Sequence, residues 1–164
     1  RLHGEAGRAR ERQAAALRAF IVRVEVDEDP AWADATLDAL EASARGDAEL
    51  AAVLEQRARV AATRWDIEAG EAVARRAIDA ARRAGEPAIE CDSRVVLAQL
   101  LLKKRRPDEA AAVLAGAQAY VESGAALEQR FMYEQCMAWL ALEQERFTQA
   151  QRQWIRCAEL AAEQ

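Results

Sequence analysis

The sequence predicts an all-α fold built from antiparallel helical hairpins, and three observations carry that prediction. Long runs are written in Ala, Leu, Glu, Arg and Gln, the strongest helix formers. Only three prolines and seven glycines punctuate 164 residues. The breaks that do occur leave short turns, which force consecutive helices to lie antiparallel. An apolar content of 52% is enough to bury a core and excludes general disorder, so residues 1–164 are expected to form a single folded unit.

The elements follow from the punctuation. A first helix is expected from about Glu5 to Val26, stopped by the acidic "EVDEDP". Asp29 then caps and Pro30 opens a second helix to about Ala44, since Asp accepts from free amides at a helix start and Pro lacks the amide that would be orphaned there. "RGD", Arg45 to Asp47, is the next break. A third helix runs from Ala48 to near Trp65, and a fourth, capped by Asp66, runs to Ala84, where "GEP" ends it. The fifth covers about Ala88 to Lys104, the sixth Asp108 to Glu122, the seventh Ala126 to Glu145 and the eighth Thr148 to the end. Paired through short turns they make four hairpins, about 5–44, 48–84, 88–122 and 126–164.

Three of the hairpins share a register. "RWDIEAG" (64–70), "KRRPDEA" (104–110) and "QERFTQA" (144–150) stand 40 residues apart. The interval recurs at Ala58, Ala98 and Ala138 in the first helix of each hairpin, and at Ala77, Ala117 and Cys157 in the second. With Gly70, Ala110 and Ala150, these nine positions hold only Gly, Ala or Cys. Small residues at fixed places let two helix backbones approach where a larger side chain would hold them apart. The register puts Ala98 and Ala110 at such contacts, and Ala111 and Ala112 on the exposed face.

This pattern resembles the tetratricopeptide repeat (TPR) family, in which a small residue of the first helix meets two of the second; 51–85, 91–124 and 131–164 carry the resemblance. The departures are a period of 40 rather than about 34 residues and no proline at the end of the second helix. In both respects the chain is similar to the degenerate repeats of large bacterial signalling proteins and maltose-regulator-type transcriptional activators. The resemblance implies a right-handed α-α superhelix and a cytoplasmic, non-catalytic scaffold that binds a protein or peptide. The chain opens on Arg1 without a methionine, as a piece of a larger regulator would.

Composition narrows the chemistry. A net charge of −5 makes the domain repel polyanions, so direct nucleic-acid binding is not expected. "KKRR" (103–106) could contact phosphate, but cations also favour the negative end of a helix, and Pro107, Asp108 and Glu109 suit the start of the next. The turn reading is preferred, with Lys103 to Arg106 kept as the best site for an electrostatic contact. His3 is the only histidine, so no Ser-His-Asp triad or helical His metal site can be assembled, and phosphate-binding glycine loops are absent. No enzyme, cofactor or metal is expected, nor a membrane span. Cys91, Cys136 and Cys157 are read as small core residues of a reduced protein.

The resemblance also implies an inner groove lined by the first helices of the hairpins. The register places there Glu55 and Arg59, then Asp92, Val95, Gln99 and Lys103, then Met132, Gln135 and Trp139. Trp and Arg most often dominate binding energy, which singles out Trp139 and Arg59; the bland alternative has Trp139 in the core and Arg59 merely solvated. The family's clamp for a C-terminal carboxylate needs asparagines, and this chain has none. Two further readings keep the fold: a small-molecule effector in the groove of a transcriptional activator, and homo-oligomerisation through the last hairpin.

Overall fold

A computed structural model of the chain describes residues 15–17, 20 and 30–163. Seven helices have described bounds: α1 (Pro30–Ser43), α2 (Asp47–Thr63), α3 (Ile67–Ala84), α4 (Pro87–Lys103), α5 (Pro107–Glu122), α6 (Leu127–Glu143) and α7 (Phe147–Ala162). Residues 15–17 and 20 are helical as well; the rest of the helix expected over 5–26, the acidic stop and the Asp29 cap lie outside the described residues. No strand occurs among the described residues, and no helix there is long and apolar enough to cross a membrane.

The helix starts follow from the residues that stand at them. Pro30, Pro87 and Pro107 each open a helix, where a missing amide costs nothing. The Asp66 carboxylate accepts from the amide of Ala69 at 3.4 Å, and Gly85 ends α3 in the left-handed region with φ of 69°.

The three aligned turns are built identically. Trp65, Arg105 and Glu145 all adopt a left-handed backbone, with φ of 61°, 58° and 58°. One residue later the amides of Asp66, Arg106 and Arg146 donate back to the carbonyls of Ala61, Leu101 and Ala141, at 2.9, 3.0 and 2.8 Å. These bonds close the last helical turn and satisfy carbonyls that would otherwise be orphaned. The geometry normally selects glycine, and here it is imposed three times on residues with a Cβ.

Hairpins stack in the same 40-residue register. Arg83 near the end of α3 bonds Asp47 at the start of α2 at 2.8 Å, as an antiparallel pair requires. Between hairpins, Lys103 Nζ donates to the Ala62 carbonyl at 2.8 Å, and Arg105 meets Glu143 at 2.7 Å. The first helices form a touching row, α2 on α4 and α4 on α6. The second helices do not: among the described residues the backbone of α3 stays clear of α5, and that of α5 stays clear of α7.

All nine small-residue positions are buried. Ala58, Ala77, Ala98, Ala110 and Ala138 are wholly enclosed, and a Cβ added at Gly70 would lie 3.1 Å from Leu100 Cδ1. Four of them, Ala58, Ala98, Ala110 and Ala117, belong to a central core with Val95, Leu97, Leu100, Leu101, Leu114 and Leu140. Ala111 differs from expectation: it is half-buried against this core, whereas Ala112 is exposed, because Ala111 follows the enclosed Ala110 and sits at the edge of the buried face. A separate cluster of Phe20, Ala33, Leu37, Leu40, Val53 and Val60 holds the N-terminal helices, with Phe20 stacked on Trp32 at 5.6 Å. Cys91, Cys136 and Cys157 are free and buried, as core residues should be, and burial pushes the Cys91 and Cys136 thiols up to about 12.

Candidate functional site

The nine groove residues stand on α2, α4 and α6, the helices that form the touching row. They divide into an enclosed charged end, a buried centre and two exposed residues, Lys103 and Trp139.

At the charged end, Glu55 is 5% exposed and pairs with Arg59 one helical turn on. Burial pushes the Glu55 carboxyl above its usual range despite the Arg59 charge and hydrogen bond beside it. Burial would lower Arg59, but the Glu55 carboxylate outweighs it and holds the guanidinium charge more firmly. Asp92, on α4, is likewise raised by burial; Gln129 of α6 donates to it at 3.1 Å and to the Ala88 carbonyl at 3.3 Å. Tyr120 completes the chain by donating to Gln129 at 3.0 Å. A polar network thus crosses from α4 to α6, with every named group partnered.

In the centre, Val95 is 3% exposed, and its carbonyl lies 4.0 Å from Cys136 Sγ. It is a core residue and offers a partner no surface, because the row of first helices closes over it. Gln99, Met132 and Gln135 are half-buried along the same row.

Two of the nine are open to solvent. Trp139 is 52% exposed and meets Trp154 edge-on at 5.6 Å. Lys103 is exposed, with Nζ 4.2 Å from the Trp65 ring centroid, a distance at which the ring face attracts the ammonium. Neither simple alternative holds: Trp139 is not core, and Arg59 is ion-paired rather than merely solvated.

The basic run 103–106 has an internal explanation. Lys104 reaches Glu71 at 2.8 Å and Glu68 at 3.0 Å, Arg105 reaches Glu143, and Arg106 reaches both Glu71 at 3.1 Å and Glu109. The turn of the middle hairpin therefore ties the hairpin before it to the one after it. Glu71 collects three cations, with Arg75 the third, and the Lys104 and Arg75 hydrogen bonds hold its carboxyl down at about 2. Sequence reading missed the partners on flanking hairpins because they lie 33 to 38 residues away. The 40-residue register was the signal that could have found them.

No group of three His, Cys, Asp or Glu side chains among the described residues is arranged to hold a metal ion. No family model, curated protein or solved structure matches the chain significantly.

Proposed function

We propose that the chain is a TPR-like, right-handed superhelix that binds a protein or peptide partner without catalysis, as one module of a larger bacterial regulator. The observation that carries this reading is the unequal spacing of the two rows. Helices that touch in one row and stand apart in the other bend the stack toward the touching side, so α2, α4 and α6 face the inside of the curve. A surface of half-buried polar groups ending in an exposed tryptophan suits recognition of an extended or helical segment through a few anchors. The function rests on this face and not on the fold, which many binding proteins could share.

Selection of peptides on the full chain by display tests the reading. Truncating a central anchor costs about 2 kcal/mol or more, so selected peptides should bind Trp139→Ala at least about tenfold more weakly. Peptides indifferent to both Trp139→Ala and Arg59→Ala would overturn it.

Homo-oligomerisation through the last hairpin is favoured by a different observation. Ile67 and Pro107 open their helices half-buried, while Phe147 at the same register is 67% exposed and Ile155 is 52% exposed. A second copy would cover them. Sedimentation of a strict monomer at high concentration would remove this reading; a dimer abolished by Phe147→Glu would support it.

A further inference from the structure

The gap between second helices is closed in one place and open in the next. Between α3 and α5 it is bridged by arginines. Arg82 of α3 and Arg94 of α4 both grip Glu90, at 2.9 and 2.8 Å, and Arg94 Nη1 donates across to the Val113 carbonyl of α5 at 3.0 Å. Arg94 is only 8% exposed and lies flat over Gly116, where any Cβ would stand 2.2 Å from its Nη1.

Forty residues on, every one of these positions is changed. Arg82, Glu90 and Arg94 become Glu122, Arg130 and Glu134, Gly116 becomes Arg156, and Val113 becomes Gln153. The structural equivalence is real, since Glu134 meets Arg156 at 3.3 Å just as Arg94 lies on Gly116. The bridge is not rebuilt, however. The space between α5 and α7 is a cleft of about 700 Å³ with these residues in its walls.

We infer that this cleft binds a guanidinium group, an arginine side chain presented by a partner polypeptide. Three features point to a cation. The walls hold Glu122, Glu134, Glu159 and Glu163 against Arg130 and Arg156, an excess of acid. Gln153 stands half-buried in the same wall, and its Oε1 atom is enclosed with no hydrogen-bond partner, an acceptor left unsatisfied. Glu134 is 7% exposed and pairs with Arg156, with the Arg130 charge also acting on it, and a carboxylate can accept from several donors at once. A guanidinium offers five N–H donors and no acceptor, and it already fills the equivalent gap as Arg94. The site lies between the second helices, with Arg130, Tyr133, Glu134 and Met137 of α6 also in its walls, and shares no residue with the nine of the groove, so it stands or falls independently of them.

The test titrates the isotope-labelled full chain with acetyl-Ala-Arg-Ala-amide and follows backbone amide shifts. Saturable shifts at Glu122, Glu134 and Gln153 are expected, weakened about tenfold by Glu134→Gln, as loss of a charge-assisted hydrogen bond implies. Because Glu134 is buried, Glu122→Gln, an exposed change, should weaken binding in a variant whose folding is not at stake. The citrulline peptide, isosteric but neutral, should give no saturable shift. Absence of saturation with the arginine peptide, equal binding of the citrulline peptide, or preference for acetyl-Ala-Glu-Ala-amide would overturn the inference. Tighter binding of free arginine than of the blocked peptide would overturn the polypeptide source in favour of a small effector.

Discussion

At the scale of single residues, the fold rests on places where a side chain is small or a backbone is strained. Ala98 and Ala110 are wholly enclosed at helix contacts. Replacing either with Leu should cost about 1–3 kcal/mol by overpacking, whereas Ala112→Leu, on an exposed face, should change stability by less than about 0.5 kcal/mol. Denaturant unfolding checks this, and equal small effects at all three would refute the packing register. The strained turn residues behave oppositely. Glu145 is exposed and holds φ of 58°, a conformation that glycine adopts without penalty. Glu145→Gly should therefore stabilise the chain by roughly 0.5–1 kcal/mol, after allowing for the greater freedom of glycine in the unfolded state. A loss of stability would mean that the turn is not closed as described. The small residues were legible in the sequence because they repeat; the positive φ was not, because Trp, Arg and Glu give no local sign of it.

At the scale of elements, the starts and stops of the seven helices with described bounds were readable to within a residue or two, since Pro, Asp and Gly act on their immediate neighbours. What ties one hairpin to the next was not readable that way. Glu71, on α3, joins Arg75 of its own helix to Lys104 and Arg106 of the next turn. Its carboxyl is held at about 2, well below the ordinary value of 4.5. A folded-state pKa below the unfolded one means that the contribution is complete above about 4.5 and disappears as pH falls toward 2. Glu71→Gln should therefore cost about 1–2 kcal/mol at neutral pH, discounted for solvent at the rim of the cluster, and nearly nothing at pH 2. Chemical denaturation of both forms across this range checks the convergence. A difference that persists at the acid end would show that Glu71 acts through packing rather than charge.

At the scale of the whole molecule, α4 is the element that every hairpin around it needs. It packs against α2, α3, α5 and α6, and its buried face of Val95, Leu97, Leu100 and Leu101 lies at the centre of the core. In a stacked array stability is shared between neighbours, so elements with neighbours on both sides open last. Native-state hydrogen exchange should find the slowest amides in α4 and faster exchange in α7, which among the described helices has α6 alone beside it. Uniform protection along the chain would contradict this. Periodicity, caps and the 40-residue register are properties of near neighbours in the chain or of its copies, so the all-α class, the hairpins and their buried small residues could be derived from the sequence alone. Only the tertiary structure decided that Lys104, Arg105 and Arg106 of "KKRR" bind carboxylates of flanking hairpins, that Val95 lies in the core while Trp139 reaches solvent, and that the gap Arg94 closes between α3 and α5 stays open between α5 and α7. Each of these depends on which side chains meet across helices, and distance in space between residues some 40 apart is set by stacking rather than by any local pattern.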